Sequence, residues 1–381
     1  MNTAGPLFGV LVLSFLPACV AAADPHLDLS AGGGKQAAIP TVQASETRHV
    51  AVFDEPGRYG GWPANGGVWS WGNEIVVGFT AAWYKPAKND HAVDRSKTFE
   101  KWQARSLDGG QTWSIEKPGF PNDRQSPKCT ALTEPLDFTH PDFALVFHFL
   151  NMHVGPSYFY TSADRGKSWQ GPYSFRVEGV ENVSTRTDYV VLGKRECLMF
   201  GSAAKADQKE GRTFCARTID GGLHWKLVSF IGPEPAGFAI MPSTLRLADG
   251  ALLTTIRNGE PGKRYDIDAW RSDDNAAHWK CLGPATGDIG GNPPALVRLN
   301  DGRLCLTYGY RKKPCGVRAR ITSDEGRSWG PEIILRDDGL TGDLGYPRSV
   351  VRPDGKIVTI YYFNGPEKDQ QRTIQATIWK P

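Results

Sequence analysis

The chain has 381 residues, 40% hydrophobic and 22% charged, with 44 Lys+Arg against 41 Asp+Glu and a formal net charge of +3. This excludes a disordered polyelectrolyte and a strongly basic nucleic-acid binder, and it allows a sizeable core. With 43 Gly, 27 Pro and 12 Trp, the composition favours short strands joined by tight turns, an all-β chain.

The apolar run Leu7 to Val20 ends in Ala21-Ala22-Ala23 before Asp24 and is short for a membrane span. Residues 1–23 therefore read as an export signal cleaved near Ala23, which places the protein outside the cytoplasm, secreted or periplasmic. Leu16-Pro17-Ala18-Cys19 offers a poorer lipid-attachment alternative through Cys19. Residues 24–45, rich in Ala, Gly and small polar residues, read as a flexible leader, and residues 46–381 as a single domain. Cys129, Cys197, Cys215, Cys281, Cys305 and Cys315 remain, an even number that suits either disulfides or buried small hydrophobes. No Cys/His spacing indicates zinc, and neither metal nor cofactor is expected.

Six apolar hairpins follow in order: Val68 to Phe79 around Gly72-Asn73, Phe138 to Phe149 around Pro141-Asp142, Val190 to Phe200 around Gly193-Lys194, Leu245 to Ile256 around Asp249-Gly250, Leu296 to Tyr308 around Asp301-Gly302, and Val350 to Tyr362 around Asp354-Gly355. Each of the first five is followed by a turn of one pattern. Ser106-Leu107-Asp108-Gly109-Gly110-Gln111-Thr112-Trp113 recurs around Asp164, Asp220, Asp274 and Asp324, with Ala276 replacing the expected Gly in the fourth copy. The aspartates are 56, 56, 54 and 50 residues apart. Such a period marks a repeat architecture: Asp accepts from the turn amides, Gly supplies positive φ, and Trp wedges between units. Six hairpins with these turns predict a six-bladed β-propeller of four antiparallel strands per blade. The strands around His49 to Phe53 and Thr373 to Trp379 are expected to share the last blade and close the ring.

Strand reversal places the hairpin turns and the Asp turns on one face, and the remaining connections on the other. That second face collects Arg58, Trp62, Asn65, Arg186, Asp188, Ser243, Asn292, Asp343, Tyr346 and Arg348, joined by Arg257 and Arg311 from strand ends. A longer first-blade segment, Trp83 to Phe99, adds Asp90, His91, Asp94 and Arg95. Several arginines at one mouth suit an anionic ligand, because guanidinium forks match carboxylates.

The repeated Ser/Thr-x-Asp-x-Gly-x-Thr/Ser-Trp motif resembles the Asp boxes of the sialidase (neuraminidase) superfamily, whose members are six-bladed propellers, over nearly the whole domain. The resemblance implies an exported exo-glycosidase hydrolysing a terminal acidic sugar. It carries an arginine clamp onto Arg58, Arg257 and Arg311, with Arg318 competing for the third place, and a tyrosine nucleophile onto Tyr346 in Gly345-Tyr346-Pro347. The acid/base aspartate falls on Asp94 or Asp90. The glutamate that assists the tyrosine is replaced by Met241, with Glu234 the nearest candidate. Arg348, Arg186, Asp188, Trp62 and Asn65 complete the expected substrate-binding set. Two other readings stay open: a lyase on uronate glycans using His91 or His140 with Tyr346, and a glycan-binding propeller without turnover. The partner is a glycan with an acidic sugar; neither nucleic-acid binding nor a membrane span is expected.

Overall fold

The computed structural model describes Met1 and residues 39–87, 90–365 and 371–381. The segment read as an export signal, with Cys19, and most of the segment read as a leader lie outside them. Six antiparallel sheets form a ring, the blades of a six-bladed β-propeller. From the axis outward, the fourth blade is typical: Phe238–Arg246, Leu252–Gly259, Ile267–Ser272 and Lys280–Pro284. The last blade contains Gly345–Val351, Ile357–Phe363 and Thr373–Lys380, and its outer strand is Ser45–Phe53 from the start of the chain. Pairing of Val50 with Ala376 and His49 with Thr377 closes the ring as expected. Thr41–Gln43, in the segment read as leader, forms a strand parallel to Glu332–Gly339 on the fifth blade.

The Asp turns hold the blades as their composition requires. Asp108 Oδ1 accepts the amides of Gln111 and Thr112 at 2.9 Å each, and its other oxygen accepts the Thr112 hydroxyl at 2.6 Å. Ser106 Oγ accepts the Gly110 amide at 2.7 Å. The degenerate copy keeps this geometry, with Ala276 at φ 72° and its amide 3.0 Å from Ser272 Oγ. A left-handed alanine costs about 1 kcal/mol relative to glycine. Burial would push the Asp108 carboxyl up, but these hydrogen bonds outweigh it and pull it down to about 2. Neighbouring blades are tied on this face by Arg271, which bonds the hairpin turn at Asp249, Asp273 of its own Asp turn and Glu325 of the next. Hairpin and Asp turns thus share one face.

The second blade departs from the expected hairpin. Its named strands are Ala144–Phe149, Ser157–Ser162 and Gln170–Phe175, and among the described residues no strand pairs with Ala144–Phe149 on its axial side. Pro135 and Pro141 lack amide donors, and the amides between them are used elsewhere: Leu136 donates to Gly221 O and Phe138 to Lys194 O, both on the third blade. The Phe147 amide, left without a strand partner on the axial side, donates to Thr187 Oγ1 at 3.2 Å. This opening forms one side of the cavity described below. All six cysteines among the described residues are free thiols.

The axis is a polar channel of about 290 Å³ lined by Thr187, Asp188, Ser243, Thr244, Arg348 and Ser349 among others. Burial pushes the Asp188 carboxyl up to about 7, against the opposing pull of Arg348 and the Thr244 hydrogen bonds. A folded-state value above the ordinary one means that the native fold prefers the protonated acid. The stability contributed by protonated Asp188 is therefore fully present at low pH and is lost as pH rises from about 4 to 7. Asp188→Asn is expected to flatten that slope in melting curves taken between those pH values; an unchanged slope would show that Asp188 is ionised in the fold.

Candidate active site

Tyr346 enters the site by a constrained route. It follows Gly345 at φ 102°, where a Cβ would meet the Asn292 side chain at 2.5 Å, and itself adopts φ 48°. Buried Asn292 pins this turn by accepting the amides of Tyr346 at 2.8 Å and Gly309 at 3.2 Å and donating to Leu344 O at 2.9 Å. Trp62 at φ 55° and Met241 at φ 55° are also left-handed. Each such non-glycine residue costs about 1–3 kcal/mol, and strain of this kind concentrates where side-chain placement matters more than stability.

Two arginines stand behind the tyrosine. Arg257 Nη1 donates to Tyr346 Oη at 3.1 Å and lies 3.6 Å from the Met241 sulfur, while Arg257 Nε and Nη2 have no hydrogen-bond partner among the described residues. The Arg311 guanidinium lies 5.6 Å from the centre of the Tyr346 ring and donates to Tyr362 Oη at 3.3 Å. Arg257 is 1% exposed and Arg311 2%, against 6% for Tyr346. Only Tyr346 of these three lines the adjoining cavity. The two arginines therefore pack against the tyrosine, outside the lining of that cavity.

Beside the tyrosine sits a pair that sequence spacing did not single out as a unit. His91 Nδ1 is 2.5 Å from Asp343 Oδ1, and Asp343 also accepts the Ala92 amide at 2.9 Å, Tyr362 Oη at 2.9 Å and Arg372 Nε at 2.7 Å. Burial would raise the Asp343 carboxyl, but the His91 ring and the Arg372 guanidinium outweigh it and hold it well below the ordinary range. An ionised Asp343 accepts a proton-bearing Nδ1, which fixes the orientation of the His91 ring. The His91 ring packs edge-on against Trp62, centroids 4.9 Å apart, and 6.4 Å from the Tyr346 ring.

His91 and Tyr346 share the wall of a cavity of about 250 Å³ at the junction of the first and second blades. Where an inner strand is missing, Val146 to His153 form one side, and Trp62, Trp69, Phe99, Trp102 and Phe120 supply aromatic surface. Flat aromatic faces with scattered polar groups suit a sugar ring. Sequence reading missed Lys101, His148 and His153 in this lining, because the missing strand that exposes them leaves no motif.

The other expected residues are distributed as follows. Asn65 and Arg186 line the cavity, bonded to each other at 3.3 Å, with Arg186 paired to buried Glu210. Arg58 turns away to Glu100 at 3.0 Å and stacks over Trp83 and Trp102, so it does not join Arg257 and Arg311. Asp188 and Arg348 line the axial channel; Arg348 donates to Ala64 O and Thr187 O. Asp90 is held by Arg95 at 2.8 Å, and Asp94 accepts the Ser96 amide and hydroxyl at 3.0 and 2.6 Å; neither lines the cavity. Half-exposed Glu234 faces Arg212 at 3.8 Å, and Met241 occupies the place beside Arg257. Arg318 bonds Arg336 O and Pro314 O on the fifth blade. His140 lies in the second blade's hairpin-turn region, accepting the Asp142 amide at 3.2 Å, on the face away from Tyr346.

Comparisons with known proteins agree with this architecture. A protein of unknown function from Dyadobacter fermentans is 24% identical over 88% of this chain and 99% of its own, with a TM-score of 0.69. A Trypanosoma rangeli sialidase mutant displaying trans-sialidase activity is 14% identical over 89% of this chain and 59% of its own, TM-score 0.58. An α-L-arabinofuranosidase of Fusarium graminearum, in complex with an iminosugar inhibitor, is 14% identical over 87% of this chain and 97% of its own, TM-score 0.57. At these identities the likeness is one of fold. No curated protein matches in sequence. The model of the BNR repeat-like domain matches residues 145–359, which contain four of the five Asp turns. By that match over more than half of its length, on the blades and turns described above, the chain belongs to the BNR repeat-like family.

Proposed function

We propose that this protein is an exported glycosidase that hydrolyses the bond of an acidic sugar in a glycan, with Tyr346 as nucleophile and His91 as the proton-transferring group. The observation that carries this reading is the common cavity wall of Tyr346 and His91, one backed by Arg257 and Arg311, the other by Asp343. His91 Nε2 takes the phenol proton as Tyr346 Oη bonds to the anomeric carbon, and passes it to the departing glycosidic oxygen as that bond breaks. Water then releases the sugar by the reverse proton path, so two displacements leave the anomeric configuration retained. Arg257 and Arg311 compensate negative charge on Oη as it develops. The leaving side of the aromatic cavity holds the rest of the glycan, and residues 1–23 direct export.

A second reading is favoured by Met241. Without a carboxylate beside the phenol, Tyr346 suits the role of acid: His91 would take the proton next to a uronate carboxylate while Tyr346 protonates the departing oxygen, leaving a double bond in the sugar. Incubating the protein with sialylated and uronate-containing glycans decides between them. New reducing ends without ultraviolet absorbance support hydrolysis, an absorbing unsaturated product supports elimination, and neither product on any acidic glycan overturns both.

The placement of the first-blade aspartates gives a sharper expectation. Asp94→Asn should leave kcat/KM within about twofold of the parent, since the Asp94 carboxylate is engaged by the Ser96 amide and hydroxyl and lies outside the cavity lining. A loss of several hundredfold in steady-state assays would return the acid/base role to Asp94.

A further inference from the structure

The cavity wall carries a cation, Lys101, that forms no ion pair within 4.0 Å among the described residues. Lys101, on the strand Glu100–Ser106, donates to two uncharged oxygens, Tyr158 Oη at 2.9 Å and Pro121 O at 3.2 Å, and lines the cavity that Tyr346 also lines. The other cations in the lining are already engaged: Arg95 by Asp90 and Arg186 by Glu210. Asp123, the acidic residue of the lining, has Oδ1 occupied by the Phe99 amide at 2.7 Å and makes no ion pair with Lys101. Next to this lysine, His148 is 8% exposed, lines the same cavity, and its Nε2 is buried with no hydrogen-bond partner among the described residues. Burial drives His148 well below its ordinary value, with Lys101 adding to the effect, so the ring is neutral and offers one donor and one acceptor. Burial likewise pulls the Lys101 ammonium down to about 8, against the opposing effect of Asp123.

A half-buried ammonium held by two uncharged oxygens, beside an imidazole nitrogen with no partner among the described residues, is a polar arrangement that an anionic sugar entering the cavity would complete. Arg257 and Arg311 are turned to Tyr346 and covered by it. We propose that the anionic group of the substrate is recognised by Lys101, with His148 bonding a neighbouring hydroxyl of the same sugar, and not by the buried arginines. The inference rests on the glycosidase reading for its catalytic consequence, and on the cavity alone for binding. The shared chemistry is an oxyanion, from a carboxylate or a sulfate ester.

The test compares four matched glycans that differ at one sugar: uronic acid, its carboxyl-reduced alcohol, and the 6-sulfated and unsulfated neutral sugars. For the parent protein, kcat/KM and the calorimetric binding constant should favour one anionic form over its neutral counterpart by about ten- to a hundredfold, and the favoured form names the anion. Lys101→Met should remove that preference, and Lys101→Arg should restore part of it. His148→Phe should weaken both members of a pair alike. Melting curves of each variant separate loss of recognition from loss of fold. Preference retained in Lys101→Met, or absent in the parent, overturns the assignment. If instead Tyr346→Phe and His91→Gln abolish turnover while Lys101→Met changes nothing, the assignment falls and the glycosidase reading stands. If the anionic form binds through Lys101 but no bond is cleaved, the glycosidase reading falls and the recognition site stands.

Discussion

Tyr346→Phe is expected to lower kcat by about a thousandfold or more on any glycan the parent cleaves, with little change in KM. The ring itself is a packing element, set against Arg257, Arg311, Tyr362 and His91, and phenylalanine preserves that surface. What is removed is Oη, the acceptor for Arg257 Nη1 at 3.1 Å. Loss of that acceptor leaves a buried guanidinium with one more unsatisfied donor, a destabilisation of about 1–3 kcal/mol that a melting curve will register. The catalytic loss must therefore be measured well below the variant's melting temperature. Stopped-flow release of an aryl leaving group, or reducing-end assay on a polymer, reads the result. Retention of more than about a tenth of the parent kcat would exclude Tyr346 from bond making and bond breaking in either reaction scheme. Trapping the parent with a slow-leaving fluorinated sugar separates the schemes further: a covalent adduct on Tyr346 belongs to hydrolysis alone.

The ring of blades was legible because its cause is local. Ser106, Asp108, Gly110, Thr112 and Trp113 make their hydrogen bonds within a single turn, so the chemistry repeats wherever the letters repeat. Even the degenerate copy folds alike, since Ala276 tolerates the left-handed conformation at modest cost. The same locality carried Tyr346, Arg257 and Arg311 to one place, because each lies at a fixed offset from a hairpin. Long-range choices were not legible. Arg58 had to select between Glu100 and the arginine cluster, and the aromatic faces of Trp83 and Trp102 beside Glu100 decided it. Asp90 and Asp94 carried the residue type expected of an acid, yet both are consumed by short-range bonds to Arg95 and Ser96. The cavity was hidden most completely. It arises from a strand that does not form, because Leu136 and Phe138 spend their amides on the third blade, and an absent element leaves no periodic signal.

His91→Gln is the complementary experiment, with an expected fall in kcat of about a hundred- to ten-thousandfold, the range over which a positioned acid or base acts. The substitution keeps a donor able to reach Asp343, so the buried carboxylate retains Ala92, Tyr362 and Arg372 and one replacement for His91 Nδ1. Stability should fall less than for an alanine, which would strip a partner from a buried charge and cost about 3–5 kcal/mol. Asp343→Asn is the informative second variant. An asparagine that presents its amide to Nδ1 forces the imidazole to carry its proton on Nε2, the atom required as base, so turnover should fall by a similar factor although His91 is intact. The pair of variants yields a readout that simple packing would not produce: each alone should lose most of the activity, and the double variant little more than either. Additive losses, one factor multiplying the other, would mean that His91 and Asp343 act separately and that the proton path does not run through their bond. Coupled losses of this kind, together with an unaltered Asp94→Asn, would place proton transfer on the histidine that the first-blade segment delivers to the cavity wall.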